Sequence, residues 1–426
     1  MDRFVGIFGI ILILGIAYAF SNNRKAISLK TIIPGFILQI LLAVFVLKVP
    51  LGQKIFHAIG MFIQKILDFS NEGGNFVFGV LTNNPAKMEE LFGTGAGFIF
   101  ALKLIPTIIF ILILVNILYY YGIMQRVVEI CAKVMYKIMN VSGAEALSNI
   151  ASAFVGQVEA QIMIKPYIPT MTMSELLASM TGSMACIAGG VMAMYIGMGI
   201  PAEYLLAASI MAAPGALVIS KIVYPETEES QTKNEVKVEI KKTHVNLIDS
   251  IAHGASDGMK VSINVIAMLI ALTALISMLD WILGHIGLFM ANVLHMNLSF
   301  IHIDLTHLSL KEILGSIFSL FAIAMGVPFK EAIDVGSLMG TKLVFNEFIA
   351  YLDLTALKSV LSEKSVIIAS FALCGFANLG SIAIQIGGIG ELAPNRRKDL
   401  AKLGIKALFC GTLASYLSAC IAGILM

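Results

Sequence analysis

Phe154-Val155-Gly156-Gln157-Val158-Glu159-Ala160 sets an amide and a carboxylate in the middle of a half-apolar stretch, residues 142–166. A second stretch, 331–351, is broken in the same way by Asn346-Glu347. Each has room for two short helices meeting at a polar tip, which is a re-entrant hairpin. Irregular backbone at membrane depth is tolerated only where it is buried in protein or lines a wet cavity. The two tips therefore point to a site as well as to a fold.

The segments after the two hairpins are also alike. A long uncharged span comes next, interrupted at Cys186-Ile187-Ala188-Gly189-Gly190 in one case. In the other the interruptions are Asn378-Leu379-Gly380-Ser381 and Gly387-Gly388. Each span leads into one more helix, 203–220 and 407–426. The unit of hairpin, broken helix and helix thus occurs twice. If 246–283 crosses once and 310–327 does not, an odd number of crossings separates the copies and they are inverted. Broken helices at matching places in two halves mark the midplane site of a transporter.

The composition fits that setting. Of 426 residues 58% are hydrophobic and 13% charged, with a mean hydropathy of +0.89. That is about half the charge of a soluble domain. A bilayer spans about 20 apolar residues of helix. Eight stretches qualify: 4–20, 31–47, 98–121, 176–200, 203–220, 261–283, 365–390 and 407–426. The first lacks a basic leader and a small-residue cleavage site, so it reads as a retained helix. Residues 53–70 and 123–139 carry an amphipathic helical period and read as interfacial helices. Residues 224–243, dense in Glu and Lys, are a solvated connector.

Arg24, Lys25 and Lys30 lie in one loop; Arg396, Arg397, Lys398, Lys402 and Lys406 precede the last span. The bias of basic residues toward the cytoplasm puts both segments inside and both termini outside. A net charge of +2 gives no field for nucleic acid. The five cysteines form no CxxC pair, which argues against a disulfide framework or zinc knuckle. His295, His302 and His307 share a connecting region with Asp304, without HExxH or helical spacing, and read as a wet loop. No P-loop or GxSxG motif is present, which leaves ATP-driven transport and serine-hydrolase chemistry unsupported. No nucleophile–base pair stands out within the spans, so the chain does not read as an enzyme.

Charged groups at membrane depth cost at least about 2.5 kcal/mol on insertion scales and stay only with a partner or water. Gln157 alone could be a helix–helix hydrogen bond. Gln157 with Glu159 offers one donor group and several acceptors, a set that suits the edge of a nucleobase. Asn378 and Ser381 share a helix face. With Glu347 they form an acceptor-rich cluster suited to sugar hydroxyls. Phe376 is placed to pack on a ring or simply into the core.

At these residues the sequence resembles the concentrative nucleoside transporter family. The matching motifs are Ser21-Asn22-Asn23-Arg24-Lys25, Phe154 to Ala160 as quoted, and Ala188-Gly189-Gly190-Val191. Asn346-Glu347-Phe348-Ile349-Ala350-Tyr351 and Phe371-Ala372-Leu373-Cys374-Gly375-Phe376-Ala377-Asn378 complete the set. They occur in order along essentially the whole chain.

The resemblance implies an all-α polytopic membrane protein with about eight spans, two re-entrant hairpins and an inverted repeat. It divides the chain into a scaffold region at 1–141, a first transport repeat at 142–223, a loop and scaffold span at 224–330, and a second transport repeat at 331–426. It implies a homotrimer in the cytoplasmic membrane that imports nucleosides by symport with a cation, through alternating access of an elevator-like kind. No cofactor is implied beyond that cation. Gln157, Val158, Glu159 and Val191 would face the base; Glu347, Asn378 and Ser381 would hold the ribose, with Phe376 against the ligand.

Two departures stand out. Val158 and Gln161 replace a usual hydroxyl residue and an often-found proline, which leaves purine or pyrimidine preference open. The positions matching the sodium site are Ser152, Val155, Cys186 and Ile187, and a thiol is a poor ligand for a hard cation. Both Na+ and H+ remain open, with Glu159 or Glu347 as the proton carrier in the second case. The remaining readings are a passive channel and a transporter of another small polar metabolite. A channel would show rings of like charge or a polar lining along a span, and the sequence offers broken helices in a repeat instead.

Overall fold

The structure is a computed structural model and describes residues 5–83, 85–93, 99–233, 245–293 and 305–426. Among these residues every regular element is helical. His295, His302, Asp304 and residues 234–243 of the acidic–basic connector lie outside them.

The first part holds α1 (Val5–Ala19), α2 (Leu29–Leu47), α3 (Pro50–Phe78), the short α4 (Val80–Asn83) and α5 (Pro85–Phe92), α6 (Phe100–Tyr120) and α7 (Ile123–Met139). The first repeat runs α8 (Gly143–Ser152), α9 (Glu159–Ile162), α10 (Met173–Ala185), α11 (Gly189–Gly197) and α12 (Ala202–Val223). Next come α13 (Leu247–Asn292) and α14 (Leu310–Ala324). The second repeat is α15 (Ala332–Val344), α16 (Glu347–Leu357), α17 (Glu363–Leu373), α18 (Leu379–Leu392) and α19 (Arg397–Leu425).

Six segments among the described residues are long and apolar enough to cross a membrane. They are α2, α6, α10 with α11, α12, α13, and α19 with its lead-in. Adding α1 and the broken pair α17–α18 gives the eight expected crossings. Several boundaries differ from the sequence reading. The α13 helix has 46 residues instead of the 23 of its apolar window, about 69 Å at 1.5 Å per residue. The α19 helix begins ten residues before its window, and α3 runs eight residues past the expected amphipathic stretch. Hydropathy detects the part of a helix in lipid; the backbone goes on spiralling through its polar ends. The α7 helix matches its expected range, with Gln125, Val128, Ala132, Met135 and Met139 buried along one face.

Two expectations are corrected within the repeats. The second limb of the first hairpin is a single turn, α9, continued by turns to Tyr167 and a 3-10 turn at Ile168–Thr170. The Gly387-Gly388 pair does not interrupt α18, which is continuous across it. A Cβ on Gly388 would lie 2.6 Å from Val158 Cγ2, so that glycine admits the hairpin tip. The first expected interruption is shifted: the break spans Cys374–Asn378 and shares only Asn378 with the residues expected to form it, while Leu379, Gly380 and Ser381 are the first turn of α18.

The inversion is visible in the contacts. The Phe20 ring packs tilted against Phe409, with centroids 5.1 Å apart, Asn22 N–H donates to Val223 O at 2.8 Å, and the Lys406 amine sits 5.3 Å from the Tyr224 ring. The two basic segments therefore share one end of the bundle. Gly6 packs on Ile424 at the other end. The first hairpin is rooted at the basic end, where Gly143 N–H donates to Thr232 O at 2.9 Å. The second is rooted at the opposite end, where Lys358 Nζ donates to Gly199 O at 2.9 Å, between α11 and α12.

Local chemistry starts these helices. Ser142 with Glu145 and Thr172 with Glu175 form capping boxes at α8 and α10. Each box satisfies two backbone N–H groups that the first turn leaves orphaned. The base of the first hairpin is then locked by a buried ion pair, Lys221 Nζ to Glu145 Oε2 at 2.7 Å. Ser174 and Glu226 accept from the same amine at 2.9 and 3.4 Å.

Candidate functional site

Asn346 ends its hairpin limb in extended backbone and caps α16, accepting from Ile349 N–H at 3.0 Å. The cap places Glu347 in the first turn, where the helix dipole favours an anion. The carboxylate is 6% exposed. Its Oε1 accepts from Tyr195 O–H at 3.0 Å and its Oε2 from Asn378 Nδ2 at 3.3 Å. The Tyr195 ring on α11 is fixed by Tyr351 of α16, with centroids 4.3 Å apart. Asn378 is itself the cap of α18: its Oδ1 accepts from Ser381 N–H at 2.8 Å. That bond fixes which way the amide points, so Nδ2 must face Glu347.

The expected trio Glu347, Asn378 and Ser381 is thus brought together. The Ser381 hydroxyl has no hydrogen-bond partner among the described residues. One turn further along α18, Gln385 Nε2 donates to Met180 O at 3.2 Å and to Gln157 Oε1 at 3.5 Å. Gln385 Oε1 is buried and unpartnered. A polar line therefore runs from Glu347 along one face of α18 to the tip of the first hairpin. An unpaired buried acceptor costs about 1–3 kcal/mol, so this line is built to receive a donor.

The rest of the expected set is placed less tightly. Glu159 is exposed, with its carboxylate turned back against Gly156. Val158 packs on Gly388. Val191 and Phe376 are half-buried, on α11 and in the α17–α18 break. The two breaks touch: Phe376 N–H donates to Cys186 O at 3.3 Å. Gly375 adopts φ +122°, and a Cβ there would lie 2.5 Å from Ala185 O. Phe154 O accepts from Gly189 N–H at 3.0 Å, tying the first tip to the first break.

Sequence reasoning missed Tyr195 and Gln385. Tyr195 follows Val191 by one helical turn, and Gln385 follows Ser381 by one turn; each is a polar group inside a largely apolar helix. Lys342 was also missed, a lysine in the apolar approach to Asn346-Glu347.

The candidate cation residues converge in part. Ser152 Oγ donates to Ser148 O at 2.7 Å and lies 3.0 Å from Ser183 Oγ. Gln161 Nε2 donates to Ser183 Oγ at 2.8 Å and its Oε1 accepts from Ser179 Oγ at 2.6 Å. The Cys186 thiol donates to Ser209 O at 3.8 Å, while Ser209 Oγ donates to Ala153 O at 3.4 Å. Val155 and Ile187 are buried. The hard oxygens near the α10 end are thus the hydroxyls of Ser152, Ser183 and Ser209, and they fit a hard cation better than the thiol does. No group of three or more His, Cys, Asp or Glu able to hold a metal occurs among the described residues.

Two inverted repeats, with hairpin tips and helix breaks meeting around a buried polar line, define a secondary transporter. Family models agree along the chain: residues 8–81 match "Na+ dependent nucleoside transporter N-terminus", 101–202 "Nucleoside recognition" and 204–423 "Na+ dependent nucleoside transporter C-terminus". An uncharacterized transporter of Haemophilus influenzae is 43% identical over 100% of this chain and 98% of its own length. The nucleoside permease NupC of Helicobacter pylori is 38% identical over 96% of this chain and 94% of its own. The structure of CNTnw in an inward-facing substrate-bound state aligns with a TM-score of 0.91 at 41% identity, covering 100% of this chain and 98% of that one. The chain belongs to the concentrative, Na+-dependent nucleoside transporter family, and it is a membrane transporter, not an enzyme.

Proposed function

We propose that the protein imports nucleosides across the cytoplasmic membrane by symport with Na+ or H+, by alternating access of the two repeats against a scaffold. The observation that carries this reading is the buried Glu347 carboxylate, held by Tyr195 and Asn378 at the junction of three interrupted elements. Glu347, Asn378 and Ser381 take the ribose hydroxyls. Gln157 and Glu159, with Val191, face the base, Phe376 packs on the ligand, and Gln385 supplies the open acceptor. Val158 adds no hydroxyl to that set. The coupling cation, if Na+, sits by Ser152, Val155, Cys186 and Ile187. The scaffold is residues 1–141 and 224–330, and the moving parts are 142–223 and 331–426. The assembly is a homotrimer, as the family resemblance implies; the apolar surface of α13, where Ile270 and Trp281 are 68% and 66% exposed, is available to lipid or to a neighbouring copy.

Glu347→Gln tests the assignment. The variant keeps the volume and one oxygen but turns an amide donor toward Tyr195 or Asn378, both of which donate. Binding of radiolabelled uridine and adenosine to the purified protein should be lost while the protein remains folded. Unchanged affinity would remove Glu347 from the site.

A further inference from the structure

The two repeats share a register. Glu159 and Glu347 each open the second limb of a hairpin, and Cys186 and Cys374 each cap the first half of a broken helix. The interval from glutamate to cysteine is the same in both. Counting back from each glutamate by that register puts Phe154 in the first hairpin where Lys342 stands in the second.

Lys342 is 1% exposed. Its Nζ donates to Ala372 O at 2.9 Å, Cys374 O at 3.4 Å and Ser415 Oγ at 3.4 Å. Ser415 Oγ in turn donates to Cys374 O at 2.7 Å. Three oxygen acceptors match the three donors of an ammonium; a neutral amine would have only two to give. These carbonyls belong to the C-terminal end of α17, the end of a helix that attracts positive charge.

The mirrored place in the first repeat is the end of α10. There the Cys186 thiol donates to Ser209 O of α12 and Ser209 Oγ donates to Ala153 O, so a serine of α12 lies beside the first half-helix end as Ser415 of α19 lies beside the second, through different contacts. The lining is hydroxyls and carbonyls, and Phe154 brings no charge. The buried lysine on α12, Lys221, is engaged at the far end of that helix by Glu145, Ser174 and Glu226.

We propose that Lys342 is a tethered cation. Its ammonium holds the second half-helix end permanently in the way that a mobile coupling cation holds the first. The second hairpin is then fixed to its broken helix in every state, with Glu347 and Asn378 kept in register, and only the first repeat responds to the ion. Lys342 is a positioning residue, and one cation accompanies each nucleoside. This rests on the symport reading above.

The test uses the full-length protein in proteoliposomes, first confirming that the wild type accumulates nucleoside under a Na+ or H+ gradient. Lys342→Met keeps the stem and removes the charge; Lys342→Ala opens the space. Each should lower uptake per inserted protein by about tenfold or more, the scale of a lost charged hydrogen bond. Propylammonium should restore uptake by Lys342→Ala in a concentration-dependent way and leave Lys342→Met unchanged, which a packing role would not produce. Lys342→Met with wild-type KM and kcat overturns the proposal. Should neither variant insert, the wild-type ratio of coupled cation to nucleoside decides: one supports the tether and two overturns it. A wild type that accumulates nothing under either gradient removes the symport reading and the tether together.

Discussion

Glu347 is tolerated inside a bilayer because three separate features converge on it: a helix N-terminus, the Tyr195 hydroxyl and the Asn378 amide. Asn378 has two tasks, capping α18 with its oxygen and reaching Glu347 with its nitrogen. Asn378→Ala should therefore lose about 1 kcal/mol of capping and also leave Glu347 short of a donor. Nucleoside uptake should fall by about tenfold or more, on the scale of a hydrogen bond to a charged group; a Ser replacement, which still caps, should recover stability in thermal unfolding but not uptake. Equal recovery of both would show that uptake needs only the cap and would remove the Asn378 amide from the site. Glu347, Asn378, Ser381 and Gln157 were legible in the sequence because each is a polar group in a predominantly apolar run. Tyr195 was not, since a tyrosine in an apolar helix reads as core until its hydroxyl is seen to have a target. Gln385 was not, because the glycine pair just after it reads as a break.

At the scale of elements, glycine has two different meanings. Gly375 sits at φ +122° against Ala185 O and turns the chain where the two breaks cross. Gly375→Ala adds strain and a close contact at once. It should cost about 2 kcal/mol or more, lower the unfolding temperature of the purified protein, and reduce uptake. An unfolding temperature equal to wild type would contradict that account of the crossing. Gly388, by contrast, leaves its helix intact and makes room for Val158. Sequence alone shows that both are glycines; only the packing tells a bend from a gap. Hairpin length was partly legible, since Pro166 and Pro169 follow α9 and a proline cannot continue a helix. The ion pair at the hairpin root gives a second prediction. Glu145→Leu leaves Lys221 short of its nearest counter-charge and should destabilise by about 3–5 kcal/mol. Adding Lys221→Met should recover most of the loss in thermal unfolding; no recovery would show that the pair does not act as a unit.

The whole molecule was readable where physics is coarse. Eight apolar windows, two polar tips and two basic segments on one end are dictated by the groups that lipid and water each accept. The lengths of α13 and α19 were not, because a helix leaving the bilayer loses its hydropathy signal without losing its hydrogen bonds. The exposed apolar surface of α13 belongs to lipid or to a neighbouring copy. If to a copy, light scattering of the solubilised protein should give three times 45.8 kDa, and a monomer would refute the trimer.

The coupling itself is a property of the complete protein. The most direct measurement is uptake of radiolabelled uridine and adenosine into proteoliposomes, with a sodium gradient and a pH gradient imposed separately. The account predicts that one of the two drives accumulation above the external concentration. Equilibration without accumulation under both gradients would contradict it and leave a passive pathway in its place.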